Sequence, residues 1–223
     1  MNTDTDKHYH HGDLKEALTR GFLELLETTP MEKLSLRKLA AHVGVAATAI
    51  YNHFESKDDL LVTAKEHCLK HFAGYLDTAT NNIDSAEQRI KLLGKAYFRY
   101  SVEHTRYFDF IMTENIPDAL VTEELINASM QAESALRKAV VMLLEQHNLP
   151  TNQYNEGLGS FACWSVAHGI SALAAKRINH AACASGRWPP EFMLSDEAQV
   201  NASFDAMTDV LVAGILHAAR TTP

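Results

Sequence analysis

The chain has 223 residues, 46% of them hydrophobic, with 20 Lys+Arg against 28 Asp+Glu and a formal net charge of −8. That length suits one large helical domain or two unequal ones, and that apolar content excludes wholesale disorder. The acidic balance excludes a broadly basic nucleic-acid binder, so any contact with DNA must come from a local basic face.

The apolar period is helical almost throughout, and no alternating strand pattern stands out, so an all-α fold is expected. A first helix is expected to start near Gly12-Asp13, with Asp13 as cap, and to carry Leu14, Leu18, Phe22, Leu25 and Leu26 inward before Pro30 ends it. Ser35 caps a second helix whose inward stripe is Leu36, Leu39, Ala40 and Val43, and Gly44 provides the helix exit. A short third helix over 46–53 faces Ile50 and Phe54 inward. Ser56 caps a long helix over 57–80, with Asp58 and Asp59 in its first turn where the helix dipole favours acids. Asn81-Asn82 breaks the pattern. Helices then follow over 85–103, 122–147, 152–182 and 196–220. An aromatic segment at Tyr107-Phe108-Asp109-Phe110, a break at Pro117, and a loop over 186–190 with Trp188 separate them.

The segment 35–57 is the most informative. Leu36, Leu39, Ala40, Val45, Ile50 and Phe54 can lock three short helices into one small core, an N-terminal three-helix bundle with a helix-turn-helix. The outward residues of the third helix are then Ala46, Ala47, Thr48, Tyr51, Asn52 and His53. Thr48 can reach a base edge, and Ala46 or Ala47 can pack on a thymine methyl. Tyr51 offers a hydroxyl to phosphate. Lys57 at the next helix start, and Ser35 with Arg37 at the second, provide phosphate clamps. Residues 1–72 hold nine Lys/Arg against eleven Asp/Glu, and seven of the twelve histidines. Affinity from so few cations should fall steeply with salt.

Residues 45–61, Val-Ala-Ala-Thr-Ala-Ile-Tyr-Asn-His-Phe-Glu-Ser-Lys-Asp-Asp-Leu-Leu, resemble the signature of the TetR family of bacterial transcription regulators. Tyr9-His10-His11-Gly12-Asp13-Leu14-Lys15 resembles the first-helix entry of one branch, and Trp164-Ser165-Val166-Ala167-His168-Gly169 its Trp…His-Gly element. The resemblance implies an N-terminal DNA-binding domain over 1–57 and a C-terminal helical effector-binding and dimerisation domain over 58–223. It implies a homodimer on a palindromic operator, most often a repressor released by a small molecule. Carried over by position, Ser35, Arg37, Thr48, Tyr51 and Lys57 are the expected DNA contacts. Where family members often have Ser after Gly-Val, this chain has Ala46-Ala47, so a capping hydroxyl is missing and shape readout should carry more of the specificity.

In the second part, one side of the 152–182 helix carries Leu158, Ala162, Ser165, Gly169, Ala172 and Leu173. The last helix carries Val200, Phe204, Met207, Leu211, Ile215 and Ala218 near heptad spacing. These two stripes are expected to pair with a second copy, since a two-fold operator needs a two-fold protein. An effector pocket is expected from Tyr97, Phe98, Tyr107, Phe108, Phe110, Met112, Met130, Phe161, Trp164 and His168, a wall suited to a largely apolar small molecule with a polar anchor.

A rival reading is a metal- or redox-responsive regulator using His8, His10, His11 and the cysteines Cys68, Cys163 and Cys183, although these lack ligand spacing. An enzyme is not expected: there is no phosphate-cradling glycine loop and no His-Glu-x-x-His, and Gly157-x-Gly159-Ser160 sits in a helical pattern. No cofactor or metal is expected. The absence of an uninterrupted apolar run of roughly 18 residues and of a basic-then-apolar start argues for a cytoplasmic location and no membrane partner.

Overall fold

The computed structural model describes residues 11–176, 189 and 192–221. Expectations resting on Tyr9, His8, His10, Cys183 and Trp188, and on the side chain of His11, lie outside the described residues. The order is α1 (His11–Thr28), α2 (Leu36–Val43), α3 (Ala47–Ile50), α4 (Lys57–Ala79), α5 (Ala86–Glu103), α6 (Thr105–Thr113), α7 (Glu123–Gln146), α8 (Gln153–Lys176) and α9 (Glu197–Thr221). Two 3₁₀ turns, Met31–Lys33 and Asp118–Leu120, interrupt the connections. Among the described residues there is no strand, so the fold is all-α.

Short polar side chains set the helix starts. The hydroxyl of Ser35 accepts from the Lys38 amide at 3.3 Å, and that of Ser56 from the Asp59 amide at 3.1 Å. Ser85, Thr122, Asn152 and Asp196 accept in the same way from the amides three residues on. Each removes one of the unpaired amides of a helix start. The exits are set by left-handed backbone: Gly44 at φ 79°, Asn82 at 61° and Asn148 at 54°.

Three local expectations change. Helix α1 starts at His11, which places Asp13 inside its first turn rather than ahead of it. Helix α3 is four residues, not eight, because a turn replaces helix from Tyr51 to His53. The aromatic segment near Tyr107 is a helix, α6, separated from α5 only by His104, whose φ −121° and ψ 43° break the helical path.

Packing divides the chain into two compact units. One contains the described residues up to Leu69 and His104–Ala128, and the other Lys70–Glu103 and the described residues from Ser129 onward. The division cuts α4 after Leu69, whereas the expected domain boundary lies at residue 57.

The core of the first unit is Leu18, Phe22, Leu26, Leu39, Ala40, Ile50, Phe54, Leu60 and Phe110, all nearly inaccessible to water. Leu36, Val43 and Val45, expected inside, are only half-buried. Helix α1 crosses α2 at Gly21, where an added Cβ would lie 2.6 Å from Val43 Cγ2. The Phe22 and Phe110 rings meet at a tilt with centroids 6.0 Å apart, which fastens α6 to α1.

In the second unit α8 packs against α9 and α5. Its core includes Ile90, Leu93, Tyr100, Val140, Leu143, Leu144, Val200 and Phe204. An ion ladder joins α5 to α9: Lys91 lies 3.5 Å from Asp209, Lys95 2.6 Å from Asp205 and Arg99 3.4 Å from Glu197. Within the expected dimer stripe of the last helix, Val200, Phe204 and Ile215 are buried in this unit, and Met207, Leu211 and Ala218 are half-buried. Val210 stands 63% exposed. On α8, Tyr154, Leu158, Phe161, Trp164 and Leu173 are exposed. By length and average apolarity, though not as uninterrupted runs, α8 and α9 meet the requirement for crossing a bilayer.

Candidate nucleic-acid interface

The first unit presents α3 on a rigid base. Ile50 and Phe54 are buried beneath it, at 0% and 1% exposure, and fix its roll. The Lys15 ammonium lies 5.2 Å from the centre of the Phe54 ring, a cation–π contact that reaches across from α1. With those two residues inward, Ala46, Ala47, Thr48, Tyr51 and Asn52 are all exposed and His53 half-buried. These are the six residues that the sequence places outward. Ala46 occupies the cap position of α3 with extended backbone, φ −67° and ψ 141°, and makes no side-chain cap bond.

Two helix starts flank this face. At α2, Ser35 and Arg37 are exposed, with the Ser35 hydroxyl engaged in its cap. At α4, Lys57 is the first helical residue and is exposed, while Asp59 caps the Glu55 amide at 3.1 Å. Among the described residues, Arg37, Lys38 and Lys57 form no ion pair, so their charges are open to a polyanion. By contrast, Arg20 and His42 are engaged by Glu16 and Glu24 at 2.8 and 2.7 Å. Lys38 and Lys15 were not singled out in the sequence. Lys38 is legible as the neighbour of Arg37 in the same first turn, whereas the Lys15–Phe54 contact spans 39 positions and leaves no local signal.

A short helix with a small, hydroxyl-bearing exterior, held at a glycine turn and flanked by cations that form no ion pair among the described residues, has the general form of a major-groove reader. Residues 19–64 match the family profile "Bacterial regulatory proteins, tetR family". This segment is similar to the DNA-binding helix-turn-helix of that family. TetR-family proteins are DNA-binding transcriptional regulators.

The nucleoid occlusion factor SlmA of Shewanella pealeana is 30% identical over 83 residues, which are 35% of this chain and 42% of SlmA. SlmA of Shewanella frigidimarina is 42% identical over 43 residues, 19% of this chain and 22% of SlmA. The chain thus spans less than half the length of the curated relatives it matches. Solved structures extend the likeness over the whole fold. A protein of unknown function from Rhodococcus sp. RHA1 superposes with a TM-score of 0.70 at 21% identity, covering 94% of this chain and 98% of that one. The TetR family transcriptional regulator PfmR from Thermus thermophilus superposes at 0.55 with 18% identity, covering 88% and 97%. At such identities the likeness concerns the fold alone.

The ten side chains expected to form an effector pocket are divided between the two units. Tyr107, Phe108, Phe110 and Met112 belong to the first unit; Tyr97, Phe98, Met130, Phe161, Trp164 and His168 to the second. Phe110 is core, and the Tyr107 hydroxyl donates to Glu27 at 3.1 Å. Met130 and Phe161 stand 62% and 63% exposed. The second unit does bring Tyr97, Trp164 and His168 together: the Tyr97 hydroxyl and His168 Nδ1 share a 2.9 Å hydrogen bond, and Trp164 stacks obliquely on His168 at 6.1 Å. Burial pushes the Tyr97 phenol up to about 12, with a hydrogen bond from Trp164 opposing, so it stays protonated at neutral pH.

Among the described residues no group of three or more His, Cys, Asp or Glu is placed to hold a metal. Cys68 and Cys163 are buried, and burial pushes both thiols up to about 12, far from a reactive thiolate.

Proposed function

We propose that the chain is a transcriptional repressor that binds a palindromic operator as a homodimer and is released by a small-molecule effector. The observation that carries this reading is the exposed α3 face of Ala46, Ala47, Thr48, Tyr51 and Asn52, flanked by Arg37, Lys38 and Lys57, which form no ion pair among the described residues. Thr48 and Asn52 read bases, the alanines contact thymine methyls, and Tyr51, Arg37 and Lys57 hold phosphates. The missing cap at Ala46 leaves α3 short, so DNA shape carries part of the specificity.

Dimerisation runs through the apolar side chains that α8 and α9 leave exposed, chiefly Leu158, Phe161, Leu173 and Val210. An apolar area of this kind on two adjacent helices marks an association surface. Two such helices from each copy make a four-helix interface, the arrangement that places two α3 helices on two half-sites. Repression ends when a ligand prefers the dimer whose α3 spacing no longer fits about one DNA turn.

Genome-wide mapping of bound sites tests the reading. A two-fold symmetric motif near promoters is expected. Enrichment spread evenly over the chromosome, without a motif, contradicts a repressor and favours a role like that of the nucleoid occlusion factor SlmA.

A further inference from the structure

Helix α1 brings a cation to the connection between α3 and α4. Lys15 is exposed, and among the described residues it forms no ion pair. Its ammonium lies 5.2 Å from the centre of the Phe54 ring. Phe54 is 1% exposed and follows the turn after α3. Ser56, which caps α4, and Lys57, its first helical residue, come next. The Lys15 charge is thereby carried to the start of α4, although its own helix begins 46 positions earlier.

Two features separate Lys15 from an ordinary surface lysine. First, the ring holds the end of a long flexible side chain, so less rotamer freedom is left to lose when the ammonium meets a second partner. An ammonium has three N–H donors, and those directed away from the ring face remain open to an oxygen anion. Second, the local charge makes a single lysine insufficient. Glu55, Asp58 and Asp59 share this stretch with Lys57. A phosphate held by Lys57 and the first amides of α4 is opposed by three carboxylates, and a second cation offsets part of that opposition. Two other cations of this unit are engaged: Arg20 pairs with Glu16 at 2.8 Å, and Lys65 donates to the Glu114 carbonyl at 2.6 Å. Lys15 is the cation whose contact places it here.

We propose that Lys15 contacts the DNA backbone beside Lys57, its ammonium held in place over Phe54. The DNA-contacting surface then extends from the helix-turn-helix onto α1. This rests on the DNA-binding reading of the first unit, and on neither repression nor an effector.

Phosphate contacts are independent of base sequence, so the test uses the full chain and a labelled duplex of arbitrary mixed sequence, titrated by anisotropy at several salt concentrations. Lys15→Met keeps an unbranched stem over Phe54 and removes the charge. Its slope of log affinity against log salt should be shallower by about 0.9 for each chain bound, or about 1.8 for a dimer. Lys15→Arg should keep the original slope, and so should Lys138→Met, which removes an exposed charge from α7. A Lys15→Met variant that melts lower or binds more weakly at every salt concentration, with a parallel slope, has lost only the packing on Phe54 and overturns the backbone contact. Equal shallowing in Lys138→Met makes the change one of total charge and overturns it as well. A chain that binds no duplex even at low salt overturns the DNA-binding reading and this contact with it. Slopes as expected, in a chain with no preferred site on the chromosome, overturn repression and leave Lys15 in its role.

Discussion

Replacing Lys57 by glutamine isolates the phosphate contact proposed for it. Lys57 is exposed at the first position of α4, without an ion pair among the described residues, and the Ser56 cap holds its helix start independently of it. The substitution should therefore leave folding unchanged and remove one cation from each α4 start. Each phosphate contact contributes about −0.9 to the slope of log affinity against log salt, so a dimer losing two should have a slope shallower by about 1.8. Between about 0.1 and 0.3 M salt, the unaltered protein should lose about sevenfold more affinity than the variant. Anisotropy titrations of a labelled operator at several salt concentrations measure this. Lys138→Gln, an exposed charge on α7, should keep the original slope. Lys57→Glu should abolish operator binding while sedimentation still finds a dimer. Parallel slopes for the Lys57→Gln variant and the unaltered protein would refute the assignment of Lys57 to phosphate.

Ala46→Ser restores a cap hydroxyl where the backbone is already extended, and should raise stability by about 1 kcal/mol in a thermal melt and tighten operator binding. Gly21→Leu puts a Cβ 2.6 Å from Val43 Cγ2 and must push α2 off α1; a loss of about 1–3 kcal/mol on chemical denaturation, with operator binding lost, is expected. The thiols of Cys68 and Cys163 are raised from their ordinary 9.0 to about 12 in the folded protein. Above about pH 9 the unfolded chain releases those protons and the folded chain keeps them, so the urea midpoint should fall steadily from pH 9 toward pH 12. Below pH 9 this contribution is fully present and flat, and a midpoint that rises between pH 9 and pH 12 would contradict the burial of both thiols.

The exposed face of α3 was legible because its instructions are local. Ser35 and Ser56 cap, Gly44 turns, and Ile50 and Phe54 fix which side of α3 meets solvent, all within 22 positions. The starts at Ser85, Thr122, Asn152 and Asp196 were legible for the same reason. Helix α6 was not, since a single residue separates it from α5 and it has no capping side chain: His104 makes no cap bond. The Gly21 crossing and the Lys15–Phe54 contact depend on distant residues and leave no pattern nearby. A stripe such as Val200, Phe204 and Ile215 looks the same whether the helix beneath it comes from its own chain or a second one; here the three are buried within their own unit.

The central claim is that α3 enters the major groove twice, once from each copy of a dimer. Hydroxyl-radical footprinting of a mapped site tests it most directly. Two protected patches related by a two-fold axis, with centres about one helical turn apart or a multiple of it, are predicted, and Thr48→Ala should weaken the pattern without moving it. A single asymmetric patch, or protection that survives substitution of Thr48, Tyr51 and Asn52 together, would contradict the account.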